Sequence, residues 1–226
     1  MKLAALQNLR ERPDRDAALA RYRELASRYD STCDGIIAIR RAAIDALGLR
    51  GGETVFDVAC GTGATLVELA ERVGSAGTVI GVEQCPEMAA VARMRVADAG
   101  ILARVVLQVA AVEEAPFAAR ADALLFCYTH DVLQNPRAVA HLTRHAKPGA
   151  RVAVVGIRFL PWWWGAPINL YTAFDIRHHV TTYRGLRDPC EALRRYCSDL
   201  RLVRSYHAGT SYLAVGTVDS AGEALQ

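Results

Sequence analysis

The sequence predicts an α/β fold, a doubly wound sheet of mostly parallel strands with helices on both faces. Three observations carry that expectation. Val55-Phe56-Asp57-Val58-Ala59-Cys60-Gly61-Thr62-Gly63 reads as a strand entering a tight glycine turn, and Ala64 to Ala70 behind it reads as a helix. Thr78-Val79-Ile80-Gly81-Val82-Glu83 is a second strand, ending in an acid. Residues 121–128 form a further strand, apolar throughout after Asp122, as a parallel strand buried on both faces requires.

The remaining elements follow in order. Residues 14–29 predict a helix, with Asp14 as its cap and Leu19, Tyr22, Leu25, Ala26 and Tyr29 at helical spacing. Residues 32–48 predict a second helix, with Ile36, Ile37, Ile39, Ala43, Ile44 and Leu47 inward and Gly48 at its end. After the second strand, Pro86 starts a helix running to about Ala99. Val105 to Val109 is the third strand and Ala121 to Tyr128 the fourth; a helix over 137–146 then leads through Lys147-Pro148-Gly149 into a fifth, Ala150 to Ile157. Residues 158–185 form a long connection that holds all three tryptophans, Trp162 to Trp164. Connections of that length are usually functional. The block suits a pocket wall or a cover over the sheet, with a membrane-surface anchor as a third use. Pro189 starts a closing helix that ends near Cys197, and Leu200 to Tyr206 and Ser211 to Val218 read as two antiparallel strands.

Composition narrows the class. A chain of 226 residues suits one domain with a full core, and a hydrophobic fraction of 52% excludes disorder. No apolar run reaches membrane-spanning length. The start, Met1 to Leu6, soon meets Arg10, Glu11, Arg12 and Pro13, unlike the long apolar core of a signal peptide. The six cysteines are scattered without a C-x-x-C pair and read as reduced thiols of a cytoplasmic protein. A net charge of +3 is too small to imply nucleic acid, and the arginines of 10–28 and 194–204 read as solvated faces. His141 and His145, four apart on a helix, lack a third ligand nearby in sequence, so no metal is expected. The expected partner is a small molecule, with membrane contact disfavoured and the oligomeric state open.

The glycine turn selects among nucleotide ligands. A dinucleotide site wants a third glycine where Leu66 stands, and a P-loop wants a lysine that is absent. Glu83, at a ribose-binding position, leaves an adenosine without phosphates as the fitting ligand. Together these residues resemble the class I S-adenosylmethionine-dependent methyltransferases. Asp57, Gly61 and Gly63 match that family's first motif, with Ala59 where it usually has glycine, and Glu83 matches its ribose-binding acid, followed by Gln84. The resemblance implies a Rossmann-like doubly wound seven-stranded sheet with a reversed last strand, an N-terminal helical lid and an insert after strand five. A single domain then divides into a cap (1–49), a cofactor-binding core (50–157), a substrate-covering insert (158–185) and a closing helix with strands (186–226). It also implies S-adenosylmethionine as cofactor or substrate. Tyr22 and Tyr29, beside the family-like Tyr-Asp of Arg28-Tyr29-Asp30, serve either as lid contacts or as helix core. The family's adenine-binding acid is missing at Ala111, leaving backbone groups of Ala111 and Val112, or Glu113, to replace it.

The carboxyl end of strand four gathers Tyr128, Thr129, His130, Asp131 and Asn135 where the reactive methyl is expected. His130 or Asp131 is the candidate base for a protonated acceptor. The first functional reading is a methyltransferase acting on a small molecule, with lipid and quinone acceptors open. The resemblance extends to azetidine-2-carboxylate synthases, in which the ligand's own amine attacks its γ-carbon and methylthioadenosine leaves. There Asn135 would aim the amine, Tyr171 would face the cation and the tryptophans would fill the pocket. The bland alternative makes Asn135 a helix cap and Tyr171 a packing residue. A noncatalytic adenosyl-ligand binding protein is the third reading.

Overall fold

The computed structural model describes residues 11–220. Their strands form one seven-stranded sheet: β1 (Thr54–Val58), β2 (Thr78–Glu83), β3 (Val105–Val109), β4 (Ala121–Cys127), β5 (Ala146–Ile157), β6 (Arg201–Tyr206) and β7 (Ser211–Thr217), in the order β3-β2-β1-β4-β5-β7-β6. The first five run parallel, and β7 is antiparallel to both neighbours. This is the Rossmann-like, doubly wound sheet with a reversed last strand.

Alternation along the central strands feeds two cores. Val55, Ala123, Leu125, Ala153 and Val155 point into one, packed by α2 (Ile37–Leu47), α3 (Leu66–Val73) and α4 (Pro86–Asp98). Phe56, Val58, Leu124, Phe126, Val152 and Val154 point into the other, under α5 (His130–Leu133) and α6 (Pro136–Arg144). Leu66, Leu69, Ala70 and Val73, at i, i+3, i+4 and i+7, are the fully buried stripe of α3.

Several boundaries differ from expectation. The first helix, α1, spans Arg15–Leu25, and the chain tightens into short 3-10 turns at Asp30–Thr32 and Asp34–Ile36 before α2. Strand β5 begins early, at Ala146; its pairing with β4 shifts between Ala121 and Ala123, and that bulge absorbs Lys147-Pro148-Gly149. The closing helix α8 keeps one turn, Glu191–Arg194. The insert contains α7 (Trp162–Ile176).

Candidate functional site

The carboxyl ends of β1, β2 and β4 open on one crevice. The chain leaves β1 with Ala59, Gly61 and Gly63 all at positive φ (53°, 58° and 73°). A Cβ on Gly63 would meet Leu66 Cδ1 at 2.8 Å and Ala92 Cα at 3.2 Å, so glycine lets α3 and α4 close together. Tyr128 leaves β4 at φ 57°, and two of the four non-glycine left-handed residues among those described, Ala59 and Tyr128, line the crevice. Such strain is typical of ligand sites.

Two acids fix this turn. Asp57 is buried and its Oδ2 accepts a hydrogen bond from Thr65 Oγ1 at 2.5 Å. Burial raises its pKa to about 6, against the opposing pull of Thr65 and Arg40. Asp57 braces the turn from below and does not line the cavity; Gly61 and Gly63 shape the turn in the same indirect way. Glu83 does line it. Its Oε2 accepts from Gly61 N at 2.9 Å and its Oε1 from Cys85 N at 2.7 Å. Burial raises its pKa, partly offset by those backbone bonds.

Two cavities meet at the end of β4. The first, about 200 Å³, runs from Ala59, Glu83, Gln84 and Met88 past Val112 and Glu113 to Asp131 and Asn135. The second, about 150 Å³, is walled by Ile36, Leu133, Ile157, Ile176, Val180 and Leu186. Tyr22, Tyr29, Tyr128, Thr129, His130 and His179 line both. Of the adenine-side candidates, Val112 and Glu113 line the first cavity, whereas Ala111 is buried outside it.

His130 stands at the junction. Its Nε2 lies 2.9 Å from the Arg184 carbonyl, which fixes the proton there and leaves the Nδ1 lone pair free of any hydrogen-bond partner among the described residues. Burial pushes its pKa down to about 4, partly opposed by the Arg184 and Thr182 carbonyls, so the ring is neutral. Thr129 Oγ1, also buried, is likewise unpartnered.

Other candidates are placed differently. Asp131 lines the first cavity, but its carboxylate accepts from Thr181 N (3.0 Å) and Thr181 Oγ1 (2.6 Å), so it anchors the insert. Asn135 Oδ1 caps α6 through Arg137 N and Ala138 N, and its Nδ2 donates to Glu113 Oε1 at 3.0 Å; the oxygen needed to aim a ligand amine is occupied. Tyr171 is 71% exposed and reaches neither cavity, and Trp162, Trp163 and Trp164 face outward as well. The cyclase geometry expected of Asn135, Tyr171 and the tryptophans is therefore corrected. His141 and His145 bond to the Ala115 and His141 carbonyls.

Tyr22 and Tyr29 line both cavities and also pack against Ala26, Cys85 and Met88, so the geometry accommodates the lid and the core readings alike. Tyr22 donates to the His179 carbonyl at 2.8 Å, and its ring meets Tyr29 edge-on at 6.0 Å. Asp14 N donates to Thr181 Oγ1 and Arg21 to the Val180 carbonyl, joining α1 to the insert. Asp30 latches the lid to the glycine turn: Thr62 Oγ1 donates to it at 2.5 Å, and Arg95 pairs with it. Asp30, His179 and Thr181 are not among the residues to which the sequence assigns a place in the site. Only the family-like Tyr-Asp pair offered a signal, and it pointed at Asp30.

Fold and crevice define an α/β protein with a cavity at the ends of β1, β2 and β4. Residues 55–149 match the family described as a methyltransferase domain. Over that span the chain is similar to methyltransferase domains. A ubiquinone/menaquinone biosynthesis C-methyltransferase UbiE of Citrifermentans bemidjiense is 35% identical over 104 residues, 43% of this chain and 44% of that protein. The UbiE protein of a Geobacter species is 28% identical over 144 residues, 60% of this chain and 61% of that one. The chain thus spans less than two thirds of these relatives. Among solved structures, an S-adenosylmethionine-dependent O-methyltransferase of Thermotoga maritima superposes with a TM-score of 0.61 at 18% identity, over 83% of this chain and 67% of that one. The geranyl diphosphate C-methyltransferase of Streptomyces coelicolor gives 0.58 at 19% identity, covering 80% and 77%. These two share the fold.

Proposed function

We propose that the protein transfers a methyl group from S-adenosylmethionine to a small, largely apolar acceptor. The observation that carries this reading is the pair of cavities with a common wall at neutral His130. The first cavity fits the cofactor: Glu83 presents a carboxylate with lone pairs to spare beside a turn that brings backbone close, and Thr129 offers an unpartnered hydroxyl. When bound, the cofactor supplies a methyl activated by its sulfonium. The second cavity leaves room beside it, which methyl transfer needs and internal cyclisation does not. Its apolar walls suit a ring or a short hydrocarbon, consistent with the quinone-modifying names of the relatives.

The chain's own residues then have separate tasks. Glu83 accepts ribose hydroxyls, and Tyr22 and Tyr29 cover the ligand and exclude water. The acceptor is held in line by the walls of the second cavity, a matter of proximity and orientation. His130 Nδ1 receives the proton of an acidic acceptor group, while the Arg184 carbonyl holds its other nitrogen. The scattered free cysteines fit a reducing, cytoplasmic compartment.

Two measurements test this. Calorimetry should show Glu83→Ala binding S-adenosylmethionine about tenfold or more weakly, since charged hydrogen bonds contribute roughly 1.5–3 kcal/mol each. Mass spectrometry should find S-adenosylhomocysteine only when a phenol- or quinol-type acceptor is present. Methylthioadenosine formed without an acceptor would overturn the reading.

A further inference from the structure

Part of the second cavity's wall does not give. Among the residues that line this cavity and not the first, Ile176, Val180 and Leu186 pack into one buried cluster, backed by Ile157, Phe159 and Tyr183. Directed contacts pin all three. Helix α7, which carries Ile176, is seated on the chain after β5 by Asn169. The Asn169 Oδ1 accepts from Leu160 N and its Nδ2 donates to the Leu160 carbonyl, both at 2.8 Å. A Cβ on Gly165 would stand 2.4 Å from Leu160 Cβ, so only glycine allows that approach. Beyond α7 the turn continues, and Val180 N donates to the Ile176 carbonyl at 3.2 Å. Leu186 is held from two sides. Its carbonyl accepts from Phe159 N at 2.6 Å, and Gly185 before it sits at φ 76°, where a Cβ would meet Gln134 Oε1 at 2.0 Å. Tyr183 Oη donates to the Ala173 carbonyl at 2.7 Å and ties this loop back to α7.

We infer that the acceptor is a phenol-type compound of a single ring, and that Leu186 sets this ceiling on its size; the inference rests on the methyl-transfer reading above. The cavity measures about 150 Å³. An apolar cavity of about 150 Å³ holds one benzene ring. With the cofactor in the first cavity, the acceptor has the second alone, and a fused second ring finds no volume. Making room would shift a close-packed wall off its contacts, which a rigid interior resists. The two exposed residues of the lining, Thr32 and Asp175, are both polar, so the mouth offers hydrocarbon no further berth. At the wall shared with the first cavity, the His130 Nδ1 lone pair is buried and unpartnered, and it receives the ring's hydroxyl.

Calorimetry tests this on the full chain saturated with S-adenosylhomocysteine, titrated with phenol and with naphthol. A yielding pocket would prefer naphthol, which buries more apolar surface. The expected result is the reverse, with naphthol binding about tenfold or more weakly than phenol. Leu186→Ala takes three carbons off the wall and should close that gap. Leu186→Val takes one, should narrow the gap, and carries the test if the larger truncation unfolds the loop. Naphthol binding as tightly as phenol to the unmodified chain overturns the inference, as does a gap that neither variant changes, or phenol that does not bind. S-adenosylhomocysteine that fails to bind overturns the cofactor reading and this inference with it. S-adenosylhomocysteine that binds beside a site without size selection overturns this inference alone.

Discussion

Asp57 lies buried below the glycine turn with a pKa raised to about 6. An acid whose folded pKa exceeds its unfolded value, about 3.9, loses its proton first in the unfolded chain. Stability therefore falls as pH rises from about 4 to about 6, and the deficit persists above. Two pH units correspond to about 3 kcal/mol. Asp57→Asn keeps an acceptor for Thr65 and removes the deficit, so denaturant unfolding should show a gain of about 2 kcal/mol at pH 8 that vanishes near pH 4. An equal effect at both pH values would contradict the burial argument. His130 runs the other way: with its folded pKa lowered to about 4, it costs stability as pH falls from about 6.5 towards 4. For catalysis the same shift keeps the ring basic-form at ordinary pH. Cofactor-saturated turnover should show no histidine-like fall between pH 7 and 5. His130→Gln should lower it by about a hundredfold or more while calorimetry finds cofactor affinity nearly unchanged. Glu83 was legible in the sequence because its place depends only on a strand and a spacing. Asn135 was legible as a position but not as a role, since the role turns on which of its two amide atoms is already engaged.

Among the elements, α1 is joined to the insert in part through Thr181, which bridges Asp131 on α5 and the backbone of Asp14 before α1. Thr181→Val keeps the shape and removes both hydroxyl bonds. Amide exchange in residues 14–25 should become about tenfold or more faster, with β4 unchanged, and cofactor affinity should drop with it. Uniform acceleration across the chain would instead mark Thr181 as an ordinary core residue. The lid and the insert show where sequence reading stops. Strands β1, β2 and β4 announce themselves by apolar runs that end in turns. Helix α7 has no inward apolar stripe to detect, because the contacts that seat it are an amide pair and a missing Cβ. Its tryptophans therefore read as pocket wall or sheet cover, and they are neither.

For the whole molecule, the seven-stranded sheet with its reversed last strand was reached through resemblance, because periodicity finds strands without saying which of them pair. The decisive pairing is β1 with β4, which places residues 68 apart in sequence, Thr54 and Asp122, in contact. Closing a loop of that size costs about 4 kcal/mol of chain entropy before the contacts repay it. Pairing of this kind makes folding slow and leaves it to be completed late. The crevice has Glu83 and the glycine turn on one side of that seam and His130 on the other, so it does not exist until the seam closes. A ligand of the crevice thus has nothing to hold during the ascent to the folding barrier. In stopped-flow experiments, saturating S-adenosylmethionine should slow unfolding in proportion to its binding and leave the refolding rate where it was. A refolding rate that rises with the ligand would mean that one half of the crevice captures it alone. The adenosine site would then guide assembly of the sheet, where the β1–β4 seam makes it a lock applied after the door has shut.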